Sequence, residues 1–240
     1  MTSNDLVTPA KAAGQGCPLR RLPRIPACVG TTTIKTVLTR LVLLVVALLA
    51  AGGAARAADP ENILYMDLAF GRVVIELRPD LAPNTCVQIR KLTRAGFYDG
   101  LAFHRVIDGF MAQGGDPKGD GTGGSGHPLR AEFSSEHFVR GVVGMARASD
   151  PNSADSQFFI MYAAAPALDG KYTIFGKVVS GMEYVDRLRK GDPAHNGMVV
   201  NPDKIVKMQV AADVLAAEEK AKQPKPREPA DPTLGEMPHR

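Results

Sequence analysis

Phe103-His-Arg-Val-Ile-Asp-Gly-Phe-Met-Ala-Gln-Gly-Gly-Asp116 reads as two short strands folded back on each other. Phe103–Ile107 and Phe110–Gln113 are apolar-rich runs, and Asp108-Gly109 between them is a turn dipeptide. Side chains alternate along a strand, which sets Arg105 on the face of Phe103 and Ile107. A lone arginine on an apolar strand face usually lays its stem along the surface and reaches water. A cation sharing a face with two apolar residues is nevertheless an unusual arrangement, and it singles out Arg105.

Further runs of the same kind lie on both sides of this pair. Ile63–Leu68 and Arg72–Leu77 form a hairpin through Ala69-Phe-Gly71, and Gly141–Ala146, Ser156–Met161, Tyr172–Phe175 and Ile205–Val210 follow. Two helices are expected. One starts at Pro83-Asn84-Thr85, carries Cys86, Val87, Ile89 and Leu92 on its apolar side and stops at Gly96; the other carries Met182, Val185 and Leu188. Eight strands with glycine turns and two helices predict an all-β fold, a closed eight-stranded antiparallel barrel capped by the helices.

Residues 114–130 contain seven glycines and read as a long surface loop. Within it, Gly119-Asp-Gly-Thr-Gly-Gly124 spells G-x-G-x-x-G. Gly126 and Pro128 follow instead of a helix, so a dinucleotide site is not expected. The five histidines show no metal spacing and are read as satisfied or solvated. No metal or other cofactor is expected. Cys86 reads as a small buried hydrophobe.

Of the 240 residues, 45% are hydrophobic, enough for one domain with a sizeable core. Seven of the 29 Lys/Arg and one of the 25 Asp/Glu fall in residues 1–57. The remainder carries 22 basic and 24 acidic residues, a net charge of −2, which gives no footing for nucleic acid. Leu41–Ala51 is apolar for 11 residues, short of a bilayer span. Lys35 and Arg40 precede it and Ala55-Arg56-Ala57 follows, the arrangement of an export signal cut near Ala57 or Ala58. Residues 1–57 are therefore read as a leader, which places the protein outside the cytoplasm, by expectation in the periplasm, or on the membrane if the leader stays. Residues 60–212 are read as the domain and the charged, Pro-rich 213–240 as a disordered tail. Nothing in the pattern calls for assembly beyond a monomer.

The block Phe103–Asp116 resembles the signature of cyclophilin-type peptidyl-prolyl cis-trans isomerases. So do Gly121-Thr-Gly-Gly124, Ala131-Glu-Phe133, Gly144-Met-Ala146, Ser156-Gln-Phe-Phe-Ile160 and Leu168-Asp-Gly-Lys-Tyr-Thr-Ile-Phe-Gly-Lys-Val178, in matching order from about Asn62 to Val210. The resemblance implies a catalytic role for Arg105 and a proline pocket of Phe110, Met111 and Phe159. It implies Gln113 beside the arginine, Ala146 and Arg147 at a strand end that meets the peptide, and Gln157, Leu168 and Tyr172 along the groove. Ala167 is a departure, because family members commonly have an aromatic residue there. The implied partners are proline-containing segments of client proteins.

The chemistry suits these residue types. An X–Pro bond turns slowly because its C–N bond is partly double, with a barrier of ~18–20 kcal/mol. A donor aimed at the prolyl nitrogen localises its lone pair and favours the twisted state. Arginine stays charged at working pH and offers a planar fork. Two other classes stay open at this point: a groove that holds proline segments without turnover, and an envelope protein anchored by residues 41–51.

Overall fold

A computed structural model describes residues 59–222; the leader, its cleavage point and the tail beyond Lys222 lie outside the described residues. The chain enters through a 3-10 turn, Pro60–Asn62, into the hairpin β1 (Ile63–Leu68) and β2 (Gly71–Leu77). Helix α1 (Pro83–Arg94) follows, then β3 (Arg105–Ile107), β4 (Met111–Gly114), β5 (Val142–Met145), β6 (Phe158–Met161) and β7 (Ile174–Ser180). The short helix α2 (Met182–Asp186), β8 (Ile205–Val210) and helix α3 (Ala211–Lys222) complete it.

All eight strands form one curled antiparallel sheet in the order β3-β4-β6-β5-β7-β2-β1-β8. The end strands β3 and β8 share no ladder; their flanks meet at the bridge Ala102↔Lys204 and through Phe103 N–H donating to Asp203 O at 2.9 Å. The sheet has eight antiparallel strands, and its two end strands are joined by no ladder.

Two apolar clusters lie on opposite faces of its strands. The larger joins Leu64, Met66, Val73, Ile75, Val106, Ala112, Val143, Met145, Phe158 and Ile160 to Cys86, Ile89 and Leu92 of α1. The smaller gathers Met111, Phe138, Val142, Phe159, Met161 and Ile174. Strand alternation sorts them: in β6, Phe158 and Ile160 belong to the first, Phe159 and Met161 to the second.

Three expectations change here. Val87 is 57% exposed, while Thr85, Cys86, Ile89, Leu92 and Thr93 are buried. At 100° per residue, position 87 lies opposite the stripe that 85, 89 and 92 define. Phe103 does not share the face of Ile107: it belongs to the larger core, whereas Ile107 packs on the smaller cluster. The ladder begins only at Arg105, so alternation does not extend back to residue 103. The region after residue 212 is ordered to Lys222 as α3. Its Ala-rich sequence favours helix, and Asp213 in its first turn pairs with Arg94 at 3.0 Å, which also holds Glu61.

Helix α1 has no capping side chain at Ala82. Instead Glu132, 47 residues beyond Thr85, accepts from Thr85 N–H (2.8 Å) and Thr85 Oγ1 (2.7 Å), and from Asn84 N–H (3.0 Å). Partial burial opposes its charge, but these donors prevail and hold the Glu132 carboxyl below the usual range.

Candidate active site

Strands β4, β5 and β6 turn the smaller cluster outward, and a cleft of about 200 Å³ opens over it. Arg105, Phe110, Met111, Gln113, Ala146, Arg147, Phe159, Leu168 and Tyr172 line it. Nine of the ten site residues singled out in the sequence thus share one cleft. The tenth, Gln157, lines the adjoining depression with Gly121, Thr122 and Asp155.

Register explains why the residues meet. β4 pairs with both β3 and β6, so Gln113 stands between Arg105 on one side and Phe159 on the other. Phe159 pairs across to Gly144 on β5. A Cβ on Gly144 would come within 2.7 Å of both the Phe159 and Phe138 rings, so glycine is required for them to lie across that strand. Phe138 stacks on Phe159 at 5.6 Å between centroids, and Tyr172 meets Phe159 edge-on at 5.9 Å. Phe138 is itself pinned by its N–H donating to Asp169 at 2.8 Å. These contacts build a packed apolar floor.

The polar rim is a chain of hydrogen bonds. Arg105 Nη1 donates to Gln113 Oε1 (3.1 Å), and Gln113 Nε2 donates to Gln157 Oε1 (2.9 Å). Gln157 Nε2 then donates to the carbonyls of Gly121 (3.0 Å) and Gly123 (2.8 Å). Arginine only donates and a carbonyl only accepts, so both glutamine amides can face only one way. The glycine-rich loop thereby orients Gln113 toward the guanidinium. Asp116, buried at the start of that loop, holds it by accepting from the Lys118, Asp120 and Gly121 N–H groups. On its far side Arg105 donates through Nε to Asn196 O and through Nη2 to Asn196 Oδ1, both at 2.9 Å.

Burial lowers the Arg105 pKa from its ordinary value, yet a guanidinium starts so high that it stays charged near neutrality. Arg147 is fixed as well: it lies over the Tyr172 ring at 4.5 Å and donates to Lys171 O and Ala148 O. Among the described residues lining the cleft, two are cations and none is a carboxylate. The arrangement can hold an apolar ring against Phe110, Met111 and Phe159 while presenting N–H donors to the atom beside it.

A family model described as cyclophilin type peptidyl-prolyl cis-trans isomerase/CLD matches residues 63–210. The chain belongs to the cyclophilin-type family. A Brucella suis protein named "Probable peptidyl-prolyl cis-trans isomerase" is 58% identical over 171 residues, 66% of this chain and 87% of that one. Peptidyl-prolyl cis-trans isomerase B of Bacillus subtilis is 44% identical over 123 residues, 50% of this chain and 85% of that one. Among solved structures, a Cryptosporidium parvum cyclophilin determined in the presence of the dipeptide Ala-Pro has a TM-score of 0.57 at 32% identity, covering 62% of this chain and 98% of that one. A cyclophilin from Hirschia baltica has a TM-score of 0.58 at 31% identity over 66% and 77%. This cyclophilin is a peptidyl-prolyl cis-trans isomerase.

Two other sequence-singled residues fall elsewhere in it. Cys86 is fully buried against Phe175 O, and burial pushes its thiol up to about 11, so it is inert. His104 is not solvated: it is buried. Burial lowers its pKa and keeps it neutral. Asn196 is the site residue that sequence reasoning missed. Asn196-Gly197 is a legible turn signal, but 91 residues separate it from Arg105 and nothing local links them.

Proposed function

We propose that this cyclophilin accelerates X–Pro isomerisation by seating the proline ring on Phe110, Met111 and Phe159 and directing Arg105 at the prolyl nitrogen. What carries the reading is a guanidinium tied at three N–H groups on the rim of a cleft with an apolar floor. Three of its five N–H groups are spent, which leaves one on Nη1 and one on Nη2 for the substrate. A donor there lowers the energy of the pyramidal nitrogen in the twisted state and does little for either planar amide. The carbonyl side rotates while the ring stays held. No bond breaks and no proton is transferred. Leu168, Tyr172, Ala146 and Arg147 bound the groove through which the flanking peptide runs.

The substrates on this reading are proline-containing segments of other proteins, the class that the Ala-Pro complex of the Cryptosporidium relative exemplifies. The leader pattern supports action after export, in the periplasm, on proteins that fold there. The bridge Ala102↔Lys204 supports a sheet that closes into a barrel at its two ends. The test is a proline-peptide isomerisation assay on the purified wild type. The catalysed rate should rise linearly with protein concentration; a rate equal to the uncatalysed one overturns the reading.

A further inference from the structure

We infer that Asn196 is a positioning residue, a neutral clamp that aims the Arg105 guanidinium without cancelling its charge. This rests on the role proposed for Arg105. The clamp grips two donors of that group, Nε through the Asn196 carbonyl and Nη2 through Oδ1. Two parallel bonds from one residue fix the guanidinium plane as well as its place, as a fork-to-fork pair does.

The backbone is built to deliver both acceptors. β3 is three residues long and lies at the edge of the sheet, with β4 on one side. Segment 191–199 runs along its other side: Val106 N–H donates to Gly197 O, Gly191 N–H to Val106 O, and Val199 N–H to His104 O. A 3-10 turn, Pro193–His195, is capped by the Asp192 side chain, which accepts from Ala194 N–H at 2.8 Å. Asn196 then takes φ +53°, and Gly197 follows at φ +76° with no room for a Cβ beside Ile107. The left-handed conformation at 196 favours Gly, Asn or Asp. Glycine has no side-chain acceptor. Aspartate has one, but its carboxylate would neutralise the cation offered to the substrate. Asparagine alone satisfies backbone, acceptor and charge together.

The test measures kcat and KM for a proline peptide on the full chain, with Arg105 Nε and Nη resonances followed by NMR. Asn196→Gly keeps the turn and the carbonyl and removes Oδ1. It should lower kcat roughly tenfold, leave the thermal midpoint within a few degrees, and free the rotation of Nη2 while Nε stays protected. Asn196→Asp keeps the grip and should also lose kcat, with Nη2 still restrained. In an Arg105→Lys background, Asn196→Gly should have no further effect. Wild-type kcat in both single variants, or an equal loss with and without Arg105, overturns the clamp. If wild type itself lacks turnover, the site reading fails, yet the NMR arm still decides whether Asn196 restrains the guanidinium.

Discussion

The two faces of strands β4, β5 and β6 share one backbone and do opposite things. Ala112, Val143, Met145, Phe158 and Ile160 close onto α1 and the opposite strands and form the sealed core. One residue away on β4 and β6, Met111, Gln113, Phe159 and Met161 belong to the other side, where Met111, Gln113 and Phe159 line an open cleft although Met111, Phe159 and Met161 are largely buried by their neighbours. The sealed face is covered completely, so its side chains supply stability. The other face is floored by a packed aromatic stack with a cleft opening over it, so the same kind of side chain becomes a binding surface. Function here comes from apolar groups at the floor of that cleft, with a cation tied beside them.

Separating the two faces by mutation tests this. The largest effect belongs to the sealed side: Phe158→Ala should cost about 3–5 kcal/mol of stability by denaturant unfolding, while the folded fraction keeps its turnover. A loss under 1 kcal/mol would contradict a sealed core. On the open side, Phe110→Ala should cut kcat/KM about tenfold, roughly 1.4 kcal/mol, and leave the melting temperature almost unchanged. An equal loss of stability would erase the distinction between the faces. A third prediction uses pH. His104, buried neutral, has a pKa below its unfolded value of about 6.5, so the unfolded chain binds the extra proton and stability falls as pH drops below that value. His104→Gln should flatten this limb of the melting curve, and an unchanged pH dependence would contradict it. Peptide turnover should stay flat from about pH 7 to 9, because the cation lining the cleft beside Gln113 is a guanidinium. The smallest expected effect concerns Ala167, exposed on the turn Pro166–Leu168, whose methyl group offers no aromatic wall to a ligand. Cyclosporin-like macrocycles should bind weakly with peptide turnover kept; tight, nanomolar inhibition would contradict it.

Much of this was legible in the sequence, for physical reasons that also mark where reading stopped. Turn dipeptides and apolar runs located the eight strands, because glycine turns punctuate an antiparallel sheet. In Phe158–Met161 all four residues are apolar, so the run could not show that it serves two faces; periodicity vanishes when both sides are buried. The cleft residues came from resemblance to the family rather than from any pattern. Gln113 and Gln157 were named this way, but their shared polarity needs two glycine carbonyls that only the folded loop brings near. Asn196 was invisible for the same reason. Val87 is apolar but stands at an angle opposite the buried stripe, and in residues 213–222 helix propensity prevails over a high charge content.

The central claim is that the guanidinium of Arg105 does the work over the apolar floor. Its most direct test is the isomerisation rate of a proline peptide with wild type, Arg105→Ala and Arg105→Lys, each checked for folding by circular dichroism. The account predicts that Ala loses at least about a hundredfold in kcat/KM, roughly 3 kcal/mol, and that Lys recovers only a small part. A folded Arg105→Ala protein that turns over peptide like the wild type would contradict it.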